Sequence, residues 1–369
     1  MHFITNRLFD SSKSGFNKFC NGVNPLGPNE LAAVEVTGPV SKPVIKQLSD
    51  KLSVTQASSL IKANDLDLPA PDTSTEPGVH YYASLRVACE TFKRARADCK
   101  SVLLYVHGYN NDVKDVYKTA LELERLYGVI VIVFTWPANG GGALSGTLSY
   151  LADKRDARSS KDALNRTIDL VGKYHELLTN AARKKFEHRV ASKYPENLTR
   201  QREEFAKLID RYCTVSVSMF CHSMGNYVLK HALNSELAES RKLIFDNIAL
   251  IASDTNNEDH RRWVESLQVR NALYIGINEN DFALSWSRRK PGEQQKARLG
   301  HYLKKLDAAN AVYVDFTRER SVGKSHSYFD ASTVKKNSGV KRFFKGAFGG
   351  DSMAARLDYV SHNNTYRPK

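Results

Sequence analysis

Cys221-His222-Ser223-Met224-Gly225 joins two segments of different period. Before it, Val215 to Phe220 alternates and then turns apolar, the pattern of a largely buried strand. After it, Val228, Leu229, Ala232 and Leu233 fall on one helical face. A chain that leaves a strand for a helix with so little loop needs small residues around the turn, and it lifts the central serine out of the strand. Ser223 is therefore the candidate nucleophile, with cysteine standing where a Gly-x-Ser-x-Gly elbow has its first glycine.

A serine hydroxyl is a weak nucleophile at neutral pH and needs an adjacent base. Strand–turn–helix serines take their partners in the order Ser, acid, His. The histidines after Ser223 are His231, His260, His301, His326 and His362. His231 falls inside the elbow helix, His260 and His301 in other helical stretches, and His362 in a polar tail. His326 follows the last strand in a Gly- and Ser-containing loop and is the candidate base. The acid is expected one strand earlier, at Asp281 after ALYIGINEN, with Asp254 after NIALIAS as runner-up. Either would hold the imidazole in the proton-accepting tautomer. An oxyanion needs backbone donors. The Met224 amide follows the serine at a helix start, and the Tyr109 amide follows Gly108, which lets backbone come close. Gly108, Asn110, Trp136 and His222 are expected to line the substrate pocket. Asn110 and Asn111 have the alternative of capping the next helix, and His107 is expected to brace the loop by hydrogen bonds rather than act as a base.

These residues need a scaffold that gathers strand ends. SVLLYVHG, VIVIVFTWP, NIALIASD, ALYIGINEND and AVYVDFT read as short buried strands, separated by helices such as DVKDVYKTALELERLYG. That alternation implies a mostly parallel sheet covered on both faces, with ligand chemistry at the carboxyl ends of its strands. Residues 183–211 exceed what a crossover needs and are read as a possible helical cap over that edge, or as an elongated surface helix.

Hydrophobic residues make up 41% and charged residues 25% of the chain, ordinary for a globular protein. No apolar run approaches the roughly 18 residues of a membrane span. The first residues lack a signal peptide's apolar centre, so a cytoplasmic location is expected. Cys20, Cys89, Cys99, Cys213 and Cys221 form no CxxC pair, so free thiols are expected, with no metal site and no cofactor. Net charge is +14, and from Asp281 onward 18 Lys and Arg face 8 Asp and Glu. Such an excess suits nucleic acid, an acidic membrane surface or an acidic partner.

Taken together, VHGYNN (106–111), TWPANG (135–140), YLADKRDA (150–157), CHSMGN (221–226), the 280–284 segment and HSYF (326–329), with TNR at 5–7, resemble a bacterial family of uncharacterised α/β hydrolases. The resemblance implies an α/β-hydrolase fold over most of residues 80–330; the chain is divided into strands and a loop at 1–79, a hydrolase domain at 80–334 and a basic tail at 335–369 that is peculiar to it. The resemblance also implies Ser223, Asp281 and His326 as the matching triad. The resulting expectation is a serine hydrolase acting on a carboxylic ester or thioester of a small-molecule or acyl substrate. The alternative is a non-enzymatic binding protein that uses its basic surface. The sequence assigns no oligomeric state.

Overall fold

Strands that are apolar at every position have no solvent face and need cover on both sides. VLLYV at Val102–Val106 and IVIVFT at Ile130–Thr135 have it, since every residue of both is buried. A computed structural model of the chain describes residues 1–72, 74, 77–109, 111–138, 146–212, 215–234, 243–289 and 296–369. In chain order the first half contains β1 (His2–Thr5), β2 (Arg7–Phe9), β3 (Phe19–Val23), β4 (Ala32–Thr37), β5 (Val44–Gln47), α1 (Val54–Ala63), α2 (Ala83–Asp98), β6 (Val102–Val106), α3 (Val113–Tyr127) and β7 (Ile130–Thr135). Then come α4 (Gly146–Ser159), α5 (Lys161–Lys193), α6 (Leu198–Tyr212), β8 (Val217–His222), α7 (Gly225–Leu233), β9 (Phe245–Ile251), α8 (His260–Val264), β10 (Val269–Ile277) and α9 (Phe282–Arg289). The chain finishes with β11 (Ala311–Asp315), α10 (Ala331–Val334), α11 (Ser338–Gly349), β12 (Leu357–Val360) and β13 (Thr365–Pro368).

Among the described residues, eleven strands form one sheet in the order β12-β13-β11-β10-β9-β8-β6-β7-β1-β4-β5. Neighbours from β13 through to β1 run parallel. Antiparallel strands close both ends, β12 beyond β13 and β4 with β5 beyond β1. The two faces of β6 show how the core divides. Val102, Leu104 and Val106 pack into one cluster with Phe92 of α2, Leu164 of α5 and Val228 of α7. Leu103 and Tyr105 pack into the other with Val116 of α3 and Phe344 and Phe348 of α11. This is the mostly parallel, doubly covered sheet of an α/β-hydrolase fold. Among the described residues no helix is long and apolar enough to cross a membrane.

Two expectations about the periphery change. Residues 335–369 are not a loose basic tail. The α11 helix buries Val340, Phe343, Phe344, Ala347 and Phe348, and β12 and β13 extend the sheet. Lys341, Arg342 and Lys345 decorate a helix whose other face is core.

The cap expectation for 183–211 is also corrected. On α5, Gly172 lies against Ile244, just before β9, and the Leu178 carbonyl accepts a hydrogen bond from Arg96 at 2.9 Å, just before β6. The helix has thus reached the amino edge of the sheet, opposite the carboxyl edge where Ser223 lies. From Gly172 to Lys193 it continues for roughly 30 Å at 1.5 Å per residue. Then α6 returns to the amino end of β8. The α5–α6 hairpin projects from the edge away from the serine.

Because Phe344 is fully buried and stacks on Phe316 at 5.5 Å, Phe344→Ala should cost about 3–5 kcal/mol in urea unfolding. A loss below about 1 kcal/mol would restore the reading of this segment as a tail.

Candidate active site

The elbow forms where β8 meets α7. Ser223 has φ +53°, a conformation that costs a non-glycine residue about 1–3 kcal/mol and persists only where its surroundings impose it. Here they do. The Ser223 amide donates to the Ile251 carbonyl at 3.0 Å, and the Asp254 amide donates to the Ser223 carbonyl at 3.2 Å. Asn226 Nδ2 donates to the carbonyls of Cys221 and Ser223, both at 3.0 Å. On the next helical residue, Gly225, a Cβ would stand 2.5 Å from the Val106 carbonyl oxygen. At Gly108 a Cβ would stand 2.7 Å from the Ser223 Cβ. The loop after β6 therefore lies directly against the serine. Cys221, at the first elbow position, is wholly buried, and burial pushes its thiol pKa up.

His326 lies in the loop after β11, and its Nδ1 is 2.7 Å from Asp281 Oδ2. Asp281 is fully buried, and its other oxygen accepts the Leu284 amide in the first turn of α9 at 3.0 Å. With Nδ1–H donated to Asp281, His326 Nε2 keeps its lone pair. The His326 loop is tied from two sides. Asn278 Nδ2, at the end of β10, donates to the Gly323 and Ser325 carbonyls, both at 3.0 Å. His222 Nε2–H donates to the His326 carbonyl at 3.1 Å, and the two imidazole centroids are 4.7 Å apart. The candidate base thus packs on the residue immediately before Ser223.

The runner-up acid has other partners. The Asp254 carboxylate receives Ser287 Oγ at 2.5 Å and Tyr150 OH at 3.0 Å, and lies 3.2 Å from Arg298 Nε. This buried ion pair turns the carboxylate toward α4 and α9, while the same residue's amide holds the elbow.

His107 is a bracing residue. Its Nδ1–H donates to the Gly108 carbonyl at 2.9 Å, and Nε2 accepts from Thr135 Oγ1 at 2.9 Å. Thr135 Oγ1 in turn accepts from the buried Arg7 Nε at 3.1 Å. Burial, with the Arg7 charge nearby, lowers the His107 pKa to about 3, so the ring is neutral. Burial also lowers His222 well below the ordinary histidine value.

The pocket-lining expectations change accordingly. Trp136 is fully buried, stacks on His107, and donates its indole N–H to the His107 carbonyl at 3.0 Å. It supports the loop from behind, as His222 supports the His326 loop. Asn110 lies outside the described residues, as do Cys213 and the end of TWPANG. Asn111 Nδ2 donates to the Tyr109 carbonyl at 3.1 Å, and the next helix is capped by Asp112. Met224 is the N-cap of α7, so its amide lies at a helix start beside Ser223.

Sequence reading missed Arg7, Asn278, Tyr150, Ser287 and Arg298. TNR and YLADKRDA marked two of them, but only as pieces of a resemblance. Lys154 in the latter motif is buried, with Nζ 5.1 and 4.8 Å from the ring centroids of Tyr150 and Tyr227.

The sequence profile of a family described as alpha/beta hydrolase of unknown function (DUF900) matches residues 88–181, from α2 into α5. No curated protein and no solved structure matches the chain. The match agrees with the fold and supports hydrolase chemistry in general. The match ends before the elbow at Ser223.

A neutral buried His107 carries a pH signature. The unfolded chain binds a proton there near pH 6.5, whereas the folded chain does not until about pH 3. Stability present above pH 6.5 is therefore lost as pH falls, at about 1.4 kcal/mol per unit for this residue. Urea unfolding between pH 4 and 6.5 should show that slope reduced by about this amount in His107→Asn. An unchanged slope would mean the ring is protonated in the folded state.

Proposed function

We propose that the protein is a serine hydrolase that cleaves a carboxylic ester or thioester through an acyl-enzyme. Ser223 Oγ attacks the acyl carbon, and His326 Nε2 takes its proton. Asp281 holds the imidazole through Nδ1 and stabilises the imidazolium that forms. The amides of Met224 and Tyr109 receive the developing oxyanion, for which each such donor is worth about 2.7–4 kcal/mol. His326 returns the proton to the leaving group, and water activated by the same imidazole then releases the acyl group from Ser223.

The observation that carries this reading is the 2.7 Å contact between His326 and a fully buried Asp281, on a loop packed against the residue before a strained serine. An imidazole anchored through Nδ1 beside such a turn is arranged to accept a proton at Nε2. A close approach like that of Gly108 to Ser223 supports the oxyanion assignment. Both donors must stand about 3 Å from the oxygen that gains charge.

A fluorophosphonate probe should label the wild type at Ser223, and Ser223→Ala should remove both labelling and hydrolysis of p-nitrophenyl esters. Asp281→Asn should lower kcat by roughly 10⁴-fold, as expected when the histidine loses its tautomer control. Asp254→Asn should act mainly on stability, by about 3–5 kcal/mol, because it removes the carboxylate that balances the charge of the buried Arg298. Labelling that persists in Ser223→Ala would end the assignment. A greater kcat loss in Asp254→Asn than in Asp281→Asn, at equal folded fraction, would transfer the acid's role.

A further inference from the structure

The excess positive charge of the last quarter is gathered partly in one concave place. A cleft of about 540 Å³ opens beside the turn that carries Asp281. Its lining includes Glu279 after β10, Lys304 and Lys305 from the following loop, Asp315 and Arg318 at the end of β11, and Arg367 of β13. That volume lies within the range of small-molecule sites, roughly 300–1,000 Å³. It also lies at the carboxyl edge, where sheets of this kind bind ligands.

The charges in the wall do not cancel. Glu279 Oε1 is engaged by the Leu303 amide at 3.3 Å. Asp315 Oδ1 accepts the Thr317 amide at 2.9 Å, and its Oδ2 lies 3.5 Å from Arg367 Nη2. Among the described residues, Lys304, Lys305 and Arg318 form no ion pair. The lining thus carries four cations and two carboxylates, with Arg367 beside Asp315 and Lys305 also near Glu258. Holding like charges along a concave wall is unfavourable unless an anion sits between them. A guanidinium fork and two ammonium groups suit phosphate oxygens well.

We propose that this cleft binds a small molecule through a phosphate or diphosphate group. The site is mechanically joined to the Asp281 turn. Thr317 Oγ1 accepts the Glu279 amide at 3.0 Å, and its carbonyl accepts Asn280 Nδ2 at 3.1 Å. The phosphate group belongs either to the substrate of the site described above or to a separate ligand. The chemistry of recognition is the same in both cases.

Titration calorimetry with pyrophosphate at low salt tests the site on the full chain. One saturable site per chain is expected. Arg318→Ala, and Lys304→Ala with Lys305→Ala, should each weaken it about tenfold or more. Ser223→Ala should bind as the wild type does, so this outcome is independent of the hydrolase reading. Lys184→Ala, on α5, removes a charge elsewhere and should have no effect. No saturable binding, equal weakening by Lys184→Ala, or binding of a single-stranded oligonucleotide without pyrophosphate would overturn the proposal. A second measurement separates the two sources. If pyrophosphate alters turnover of neutral p-nitrophenyl acetate in the wild type but not in Arg318→Ala, the ligand is separate. If it leaves that turnover unchanged while Arg318→Ala raises KM only for a phosphate-bearing acyl ester, the group belongs to the substrate.

Discussion

Two backbones touch where β6 ends and α7 begins, and the rest of the site is arranged around that contact. At Gly225 there is no room for a side chain against the Val106 carbonyl, and at Gly108 none against Ser223. The contact puts the loop amides and the serine side by side. It also leaves Ser223 in a left-handed conformation that it would not choose. The turn after β9 supplies the restraint, taking the serine amide at Ile251 and returning the Asp254 amide to the serine carbonyl. Three strands, β6, β8 and β9, are thus locked at their carboxyl ends before any side chain acts.

Behind that contact lies a layer of buried polar groups whose purpose is orientation. Arg7 reaches from the start of the chain, through Thr135, to His107 and so to the loop at Gly108. Asn278 and His222 hold the loop of His326. Arg298, Asp254, Ser287 and Tyr150 tie α4 and α9 to the elbow's neighbour. Buried ion pairs are weak contributors to net stability, because desolvation offsets much of their attraction. Their value here is orientation: the same buried groups hold several loop carbonyls and side chains at once.

Much of the site was legible because the sheet converts sequence order into geometry. The parallel strands end in polar turns at the same edge, so Ser223, Asp281 and His326 could be sought at strand ends alone. Choosing between Asp281 and Asp254 was a different matter. Both follow apolar strands, and what separates them is Arg298, a residue far along the chain that claims Asp254. The roles of Trp136 and His222 were misread because proximity to the motif says nothing about which way a ring faces. In the last quarter, Val340, Phe343, Phe344, Ala347 and Phe348 carry a clear helical period. The interleaved lysines and arginines drew the reading toward a solvated tail. The direction of the long helix was not legible, since it depends on which edge of the sheet α5 starts from.

That direction matters beyond the assignment of a cap. The helical pair leaves from one rim of the sheet, and Ser223 lies at the other. Its tip, between Lys193 and Leu198, can change in length, or be given an added peptide or an anchoring group, without disturbing the loops that hold the serine and the imidazole.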